Sequence, residues 1–208
     1  MKGYFAAAKE VTSEFVEKKS RFITHARPVT TAIEAEKFIS EIKKKYPDAR
    51  HHCWAYRVHD PFGERYSDDG EPQGTAGSPM LGVLQKQEIE DVCVVVVRYF
   101  GGILLGASGL TRAYSKGCAD GVDLVGKSYK CPAQVLHVEI PYENLSAVER
   151  KLEHQTVEIL EKNYHTAVSF TLALPTEQVN NFKESLTELS GGRIIIKEGE
   201  QKLVIFKR

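Results

Sequence analysis

The side chains best suited to chemistry in this sequence fall between His51 and Gly109. Histidines, carboxylates, hydroxyls and an arginine are concentrated there: His51, His52, Asp68, Asp69, Glu71, Thr75, Arg98 and Tyr99. Imidazoles titrate near neutral pH, carboxylates hold cations or exchange protons, and guanidinium groups bind phosphate or carboxylate. Twelve of the sixteen glycines lie between Gly63 and Gly126. Glycine allows a positive φ and a close approach of ligand to backbone, so we expect a binding site in this segment.

Two glycine-rich loops in the segment, residues 70–78 and 101–109, each lead into a predicted helix. A helix N-terminus presents unpaired N–H groups and the positive end of the helix dipole, so it binds phosphate or carboxylate readily. We therefore expect both loops, the second through Gly101 and Gly102, to hold an anion or a nucleic-acid backbone. The side chains expected to add charge, donate hydroxyl hydrogen bonds or orient a partner are Arg98, His51, His52, Thr75, Tyr99, Asp68, Asp69 and Glu71.

Other kinds of chemistry have simpler explanations here. Clustered carboxylates such as Asp68, Asp69 and Glu71 can hold a hard cation or exchange protons, but a tight Asp–Gly turn with solvated acids is the commoner case. His51 and Cys53 share one face of a predicted strand, yet the sequence has no motif that completes a zinc site. Ser108 lacks the spacing of a nucleophile elbow and is explained as a helix cap. We expect no metal, no cofactor and no catalytic residue.

Two basic clusters lie outside the glycine-rich segment. Lys18, Lys19 and Arg21 occupy a predicted hairpin turn, and residues 43–45 are three lysines at a predicted helix end. Such runs usually form a solvated surface or complement the helix dipole. If the hairpin tip and the helix end lie on one side, they form a basic patch that contacts phosphate groups.

Composition limits the classes of function. The 28 basic and 28 acidic residues in 208 argue against a surface devoted entirely to a polyanion, although a local basic patch remains compatible with them. The longest apolar run, residues 92–97, is too short to span a bilayer, so we expect no membrane partner. The four cysteines contain no C-x-x-C pair and are expected to be reduced thiols in a cytoplasmic protein.

The elements that must position these residues form an α+β pattern. In the N-terminal part we predict a hairpin over residues 10–28, a helix over 32–46 capped by Thr31 and Glu34, and a strand over 53–58. A long loop over 60–78 leads to a short helix, with Ser78 as its N-cap and Pro79 in its first turn. A buried strand over 92–99 and a helix over 108–122 follow, and small residues four apart give that helix a smooth stripe for close packing on the sheet.

The C-terminal part has a different pattern. Strands over residues 134–140, 157–161, 165–174 and 193–197 and helices over 144–154 and 176–189 give the β-α-β-β-α-β order of a ferredoxin-like domain. A last strand over 203–206 would extend the sheet by a hairpin across Gly199. We predict two domains, residues 1–131 and 132–208.

Several strings of the N-terminal part resemble the YigZ/IMPACT family, in its bacterial two-domain form. The strings are Lys18-Lys19-Ser20-Arg21-Phe22-Ile23, Asp48-Ala49-Arg50-His51-His52-Cys53, Ser67-Asp68-Asp69-Gly70-Glu71-Pro72, Gly74-Thr75-Ala76-Gly77 with Pro79, and Val97-Arg98-Tyr99-Phe100-Gly101-Gly102. They occur in the family's order and span nearly the whole N-terminal part. Ser108 departs from the pattern, since relatives commonly carry glycine there.

The resemblance implies an N-terminal α+β domain similar to a small-subunit ribosomal protein domain. It implies a C-terminal domain similar to the last, ferredoxin-like domain of elongation factor G. Eukaryotic members of the family are linked to translational control through a starvation-sensing initiation-factor kinase. The family supplies no established catalytic residue to transfer, and likeness of fold does not determine function.

We therefore expect a non-enzymatic protein that binds RNA, the ribosome or a translation factor and modulates translation. The alternative is an enzyme acting on a small anionic metabolite or peptide held by the glycine-rich loops. An enzyme should place His51 or His52 within hydrogen-bond reach of an acid in a concave pocket. A nucleic-acid-binding protein should show a broad basic surface, and a purely protein-binding module should show an exposed apolar patch.

Overall fold

The computed structural model describes residues 3–206, which divide into two compact units. The first unit is Tyr4–Lys127, and the second contains residues 128–206 together with Gly3. The predicted domain boundary after residue 131 lies inside a strand, Lys127–Ile140, that begins at this division. No helix in the described residues is long and apolar enough to cross a membrane.

The first unit contains a five-stranded antiparallel sheet, a small parallel pair of strands and three helices. In chain order its elements are β1 (Tyr4–Ala7), β2 (Val11–Glu17), β3 (Ser20–Pro28), α1 (Ala32–Lys45), β4 (His51–Val58), β5 (Gly63–Ser67), α2 (Gly77–Lys86), β6 (Ile89–Glu90), β7 (Val92–Tyr99) and α3 (Ala107–Val125). The sheet order is β2-β3-β7-β4-β5, and β1 pairs with β6 in parallel.

Strand β7 is the centre of this unit because both of its faces are buried. Val92, Val94 and Val96 face one apolar cluster, which includes side chains of α2 and α3. The alternate residues of β7 face a second cluster, which includes side chains of α1. A strand covered on both faces is expected to be continuously apolar, and the predicted buried strand is confirmed.

The predicted hairpin, the first helix and the third helix are confirmed, with small shifts at their ends. Thr31 Oγ1 accepts a hydrogen bond from the Glu34 amide at 3.2 Å, as the predicted cap requires. The close-packing stripe on α3 is also confirmed, since a Cβ added at Gly121 would lie 2.7 Å from Thr24 Cγ2 on β3. A larger residue at Gly121 would push the helix off the sheet.

Two predictions for the segment between β4 and α2 are wrong. The loop predicted over residues 60–78 contains β5, whose short, largely polar sequence gives no clear strand signal at a sheet edge. Helix α2 begins at Gly77 with Ala76 as its N-cap, so Ser78 is not the capping residue. Strands β1 and β6 were not predicted, because they are only four and two residues long.

The second unit has the predicted β-α-β-β-α-β element order. Its elements are β8 (Lys127–Ile140), α4 (Leu145–Glu153), β9 (Glu158–Tyr164), β10 (Val168–Pro175), α5 (Val179–Ser190) and β11 (Ile195–Phe206). The strands lie in the order β11-β8-β10-β9, each antiparallel to its neighbour. The predicted hairpin across Gly199 is wrong: β11 is one strand along β8, with a register shift between Glu198 and Gln201.

Candidate functional site

The first unit contains a cleft of about 350 Å³ between the two glycine-rich loops. We call it the cleft. Its lining residues are Arg50, His51, Glu71, Pro72, Arg98, Phe100, Leu104, Leu105, Gly106, Ala107 and Leu110. Three of the ten predicted binding residues, His51, Glu71 and Arg98, meet in it.

Arg98 and Glu71 form a buried ion pair in the wall of the cleft. Arg98 Nη1 donates to Glu71 Oε1 at 2.7 Å, and the two side chains are 6% and 4% exposed. Tyr114 donates its hydroxyl hydrogen to the same oxygen at 2.8 Å, and Arg98 Nη2 donates to Ser20 Oγ at 3.3 Å. A buried charge needs such partners because desolvation is costly. Within the described part of the chain, the buried Arg98 Nε–H has no acceptor.

Two buried groups near this ion pair, the Tyr114 hydroxyl and the Cys53 thiol, stay protonated. Burial, with the nearby Cys53 and Glu71, raises the pKa of Tyr114 far above its ordinary value, so its hydroxyl remains a donor. Burial also strongly raises the pKa of the Cys53 thiol, which donates to the Asp68 carbonyl at 3.0 Å. Since the thiolate is the nucleophilic form, Cys53 is a structural residue.

The outer wall of the cleft is apolar and exposed. The Arg98 guanidinium carbon lies 5.6 Å from the ring centroids of both Phe22 and Phe100, within the range of cation–π attraction. Phe100 is nevertheless 48% exposed, and Leu104 is 81% exposed. Large apolar side chains this exposed beside a concavity are typical of binding surfaces.

Asp68 closes the N-terminus of α2. Its Oδ1 accepts hydrogen bonds from the amides of Ala76 at 3.0 Å and Gly77 at 2.8 Å, and its Oδ2 accepts from Gly74 at 2.8 Å. The expectation that the first loop presents open amides to an anion is therefore wrong. Asp68 supplies that negative charge from within the chain.

The N-terminus of α3 differs. Its N-cap is Gly106, with a φ of 72°, and across residues 3–206 no side chain caps it. Ser108 lies in the first turn, so its assignment as the helix cap is wrong. Gly106, Ala107 and Ser108 are exposed, and the first two line the cleft. This helix start is therefore accessible to a ligand.

Asp69, His51 and His52 form hydrogen bonds that stabilise the start of β4. Asp69 accepts from Lys43 Nζ at 2.7 Å and from the His52 amide at 2.8 Å. Burial opposes ionisation of Asp69, but these two hydrogen bonds outweigh it and hold its pKa below the ordinary value. The His52 ring bonds the Tyr46 carbonyl at 2.9 Å through Nε2, and His51 bonds the Asp69 carbonyl at 3.0 Å through Nδ1. Both nitrogens are donors, because a carbonyl only accepts.

The remaining predicted residues shape the loops. Thr75 donates its hydroxyl to the Pro72 carbonyl at 2.6 Å, and Tyr99 donates to Asp48 Oδ1 at 2.8 Å. A Cβ at Gly101 would lie 1.9 Å from the Lys19 carbonyl carbon, so only glycine lets this loop contact the hairpin tip. Gly102 has a φ of 83° and is exposed.

The basic patch is only partly as predicted. Lys18 and Lys19 are exposed at the hairpin tip, but Arg21 pairs with Glu14 at 2.7 Å. Lys18 also lines a second concavity of about 280 Å³, which we call the groove. The groove is lined by Phe15, Glu17, Lys18, Leu105, Gly109, Arg112, Ala113 and Lys116. Leu105 lines both the groove and the cleft, so the two are adjacent.

Three cationic residues of this surface were not predicted from the sequence: Arg50, Arg112 and Lys116. Arg112 and Lys116 lie four residues apart on the predicted helix, a spacing that places them on one face. Arg50 directly precedes His51 at the start of β4. For residues 3–206, no group of three or more His, Cys, Asp or Glu side chains is arranged to hold a metal ion.

Comparison with known families gives two matches along the chain. The model described as Impact N-terminal domain matches residues 18–122, and the one described as Domain of unknown function (DUF1949) matches residues 138–193. The first match contains every residue of the cleft, and the second lies in the second unit.

Similar proteins extend over nearly the whole chain. IMPACT family member YvyE of Bacillus subtilis (strain 168) is 41% identical over 198 residues, covering 95% of this chain and 91% of that protein. IMPACT family member YigZ of Escherichia coli (strain K12) is 35% identical over 197 residues, covering 93% and 97%. A solved structure described as "Crystal structure of an hypothetical protein" aligns with a TM-score of 0.62 and 34% identity, covering 96% of this chain and 98% of that one.

Proposed function

The chain belongs to the IMPACT family, and from this premise we propose that it binds RNA, the ribosome or a translation factor and modulates translation without chemistry of its own. The observation that carries the proposal is the continuous surface formed by the cleft and the groove. It presents the cationic side chains of Arg50, Lys18 and Arg112 around two adjacent concavities. Positive charge around a concave surface attracts phosphate groups and acidic proteins.

The state of the acids supports binding over catalysis. Glu71 is held by Arg98 and Tyr114, and Asp68 is held by three backbone amides. His51, the histidine of the cleft, bonds a backbone carbonyl through Nδ1 and not a carboxylate. General acid–base catalysis requires a poised acid or base within reach of the substrate, whereas these groups are engaged in holding the fold.

The two domains have different proposed roles. The N-terminal domain, residues 1–131, supplies the specific surface, and the C-terminal domain, residues 132–208, widens the contact or supports self-association. We place the protein in the cytoplasm, where the translation apparatus is found. An enzyme acting on a small anionic metabolite or peptide is the second candidate, favoured by the concave and partly apolar cleft.

Binding of the full chain to ribosomal subunits and to RNA at increasing salt tests the proposal. The variant Lys18→Gln/Lys19→Gln removes two charges at the hairpin tip and keeps the side-chain length. The matched control is Lys37→Gln/Lys86→Gln, which removes two exposed charges from α1 and α2. If both hairpin lysines contact phosphates, the slope of log K against log salt should become shallower by about 1.5 in the first variant and stay unchanged in the control.

Absence of binding to both ribosomes and RNA at low salt would contradict the proposal. A screen of small anionic metabolites against the cleft would then test the second candidate. Arg98→Ala is unsuitable for either experiment, because Arg98 is buried and its loss would disturb the fold.

A further inference from the structure

We propose that the groove and the cleft together bind single-stranded RNA, with a phosphate in the groove and a neighbouring base against the exposed ring of Phe100. The inference rests on the proposed function, because it names RNA as the partner of that surface. It divides the surface into a charged part that contacts the RNA backbone and an aromatic part that contacts a base.

The groove has more positive than negative charge. Arg112 and Lys116 lie four residues apart on α3, and Lys18 lies at the tip of the hairpin between β2 and β3. Lys116 has Asp120 as its partner. Within the part of the chain that the structure describes, no acidic side chain pairs with Lys18 or Arg112. Glu17 is the acid of the lining, so cationic side chains outnumber acidic ones three to one there and favour a bound anion.

The floor of the groove lets a phosphate group approach the helix. Gly109 and Ala113 are small and buried, and they lie on the same face of α3 as Arg112. An arginine binds phosphate oxygens through two parallel N–H donors, and a lysine acts as a point charge. Arg112 on the helix and Lys18 on the hairpin therefore provide both kinds of phosphate contact around one concavity.

The groove and the cleft lie at one end of the five-stranded sheet. The register of β3 and β4 against β7 places the β2–β3 turn, the end of β7 and the start of β4 at that end. In sheet order these positions carry Lys18, Phe100 and Arg50. Leu105 lines both concavities and joins them. Positive charge therefore lies on both sides of an exposed ring, which matches the alternation of phosphates and bases along a nucleic-acid strand.

The cleft offers one aromatic ring to a base. Phe100 is half-exposed even though the Arg98 guanidinium carbon lies 5.6 Å from its ring centroid, and the adjacent Leu104 is exposed as well. A base stacks on such a ring whatever its identity, because every base has a π-face. The faces of bases inside a duplex are already stacked on one another, so this contact selects a single strand.

Fluorescence anisotropy of labelled decauridylate, titrated with the full chain at increasing salt, tests the inference. The competing ligands are unlabelled decauridylate, a ten-base-pair RNA duplex and decaglutamate. The single strand should compete about tenfold more strongly than either of the others, because the duplex conceals its bases and decaglutamate has none.

Two substitutions separate the phosphate contact from the base contact. Arg112→Gln should make the slope of log K against log salt shallower by about 0.7, the change expected when a single strand loses one phosphate contact. Phe100→Leu should weaken binding about tenfold at every salt concentration and leave the slope unchanged, whereas Phe100→Tyr keeps the ring and should bind as the wild type does. The matched control Arg65→Gln removes an exposed charge from β5 and should change neither quantity.

Equal competition by the duplex or by decaglutamate would overturn the inference, and in the second case an acidic polypeptide would be the partner. A salt slope unchanged in Arg112→Gln, or wild-type affinity in Phe100→Leu, would overturn it too. So would a failure of decauridylate to bind at low salt. If ribosomal subunits still bind in the earlier salt experiment, such a failure concerns the RNA and not the proposed function.

Discussion

The two helix starts of the first unit, at α2 and α3, look alike in sequence and differ in structure. Each follows a glycine-rich loop, and each has a serine in its second helical position, Ser78 and Ser108. At α2 the Asp68 carboxylate binds three backbone amides, whereas α3 begins with exposed residues at the cleft. A glycine-rich loop before a helix therefore indicates an anion position, and the anion is either part of the chain or a ligand.

The difference assigns separate roles to the two loops. Asp68 lies eight and nine residues before the amides that it caps at Ala76 and Gly77, so it makes the first loop a rigid wall. That wall carries Glu71, which pairs with Arg98. The closed helix start thus supports the cleft, and the open one is available for recognition.

The largest expected effect comes from breaking the ion pair between Glu71 of the first loop and Arg98 of β7. Arg98→Met should destabilise the chain by about 4 kcal/mol, because it leaves the Glu71 carboxylate buried without its cation. Urea unfolding monitored by circular dichroism measures the loss. The double variant Arg98→Met/Glu71→Gln should regain part of the stability, and a double variant no more stable than Arg98→Met would contradict a charge-based explanation.

Opening the closed helix start should have the next largest effect. Asp68→Ala removes the acceptor of three amide hydrogen bonds and should cost about 3 kcal/mol. Added sulfate should restore more stability to this variant than to the wild type, since an anion can then occupy the vacated position. Equal stabilisation of both proteins by sulfate would mean that α2 does not require a negative charge at its start.

A matched pair of serine substitutions should distinguish the two helix starts through a smaller change in stability. Ser108→Asp should stabilise the chain by about 0.5 kcal/mol through the α3 dipole. Ser78→Asp should give no gain, because the Asp68 carboxylate already occupies the start of α2 and repels a second one. Thermal unfolding of both variants at low ionic strength measures the difference. Equal shifts in Tm would argue that the two starts are electrostatically alike.

The smallest expected effect comes from replacing Lys43, which donates a hydrogen bond to Asp69 beside the first loop. Lys43→Gln should cost about 0.5 kcal/mol at neutral pH, since the pair is partly exposed. The pKa of Asp69 is lowered in the folded state, so its stabilising effect is present above its ordinary pKa of 3.8 and is lost as the pH falls through the lowered value. The difference between variant and wild type should therefore shrink below pH 3.8 in acid unfolding experiments, and a constant difference would contradict the assignment.

Much of the fold was predictable because the pattern of hydrophobic residues along the chain indicates which segments form buried strands and helices. The valine run of β7, the capped helix α1 and the element order of the second unit follow from pattern alone. The short polar strand β5 and the continuity of β11 across Gly199 could not be predicted in this way. Edge pairing and register depend on contacts between residues that are distant in the sequence.

The sequence predicts several residues of the site by their type, but it predicts the roles of those residues only in part. Arg98 and Glu71 were identified, but nothing in the sequence shows that each neutralises the other in a buried pair. The sequence predicts that Asp68 orients a partner or tightens its loop. Its hydrogen bonds to amides eight and nine residues away depend on the folded path of the loop, which the sequence does not show. Arg50 was not predicted as a site residue because a single arginine beside two histidines does not form a recognisable binding motif.

Hydrogen exchange of the amides in residues 74–77 and 106–109, with and without ribosomal subunits, tests the central claim most directly. The account predicts that the first set exchanges slowly in both conditions, because Asp68 holds the amides of Gly74, Ala76 and Gly77. The second set should exchange faster in the free protein and become protected in the complex. Protection at the first set alone, or a complex in which residues 106–109 exchange as they do in the free chain, would contradict it.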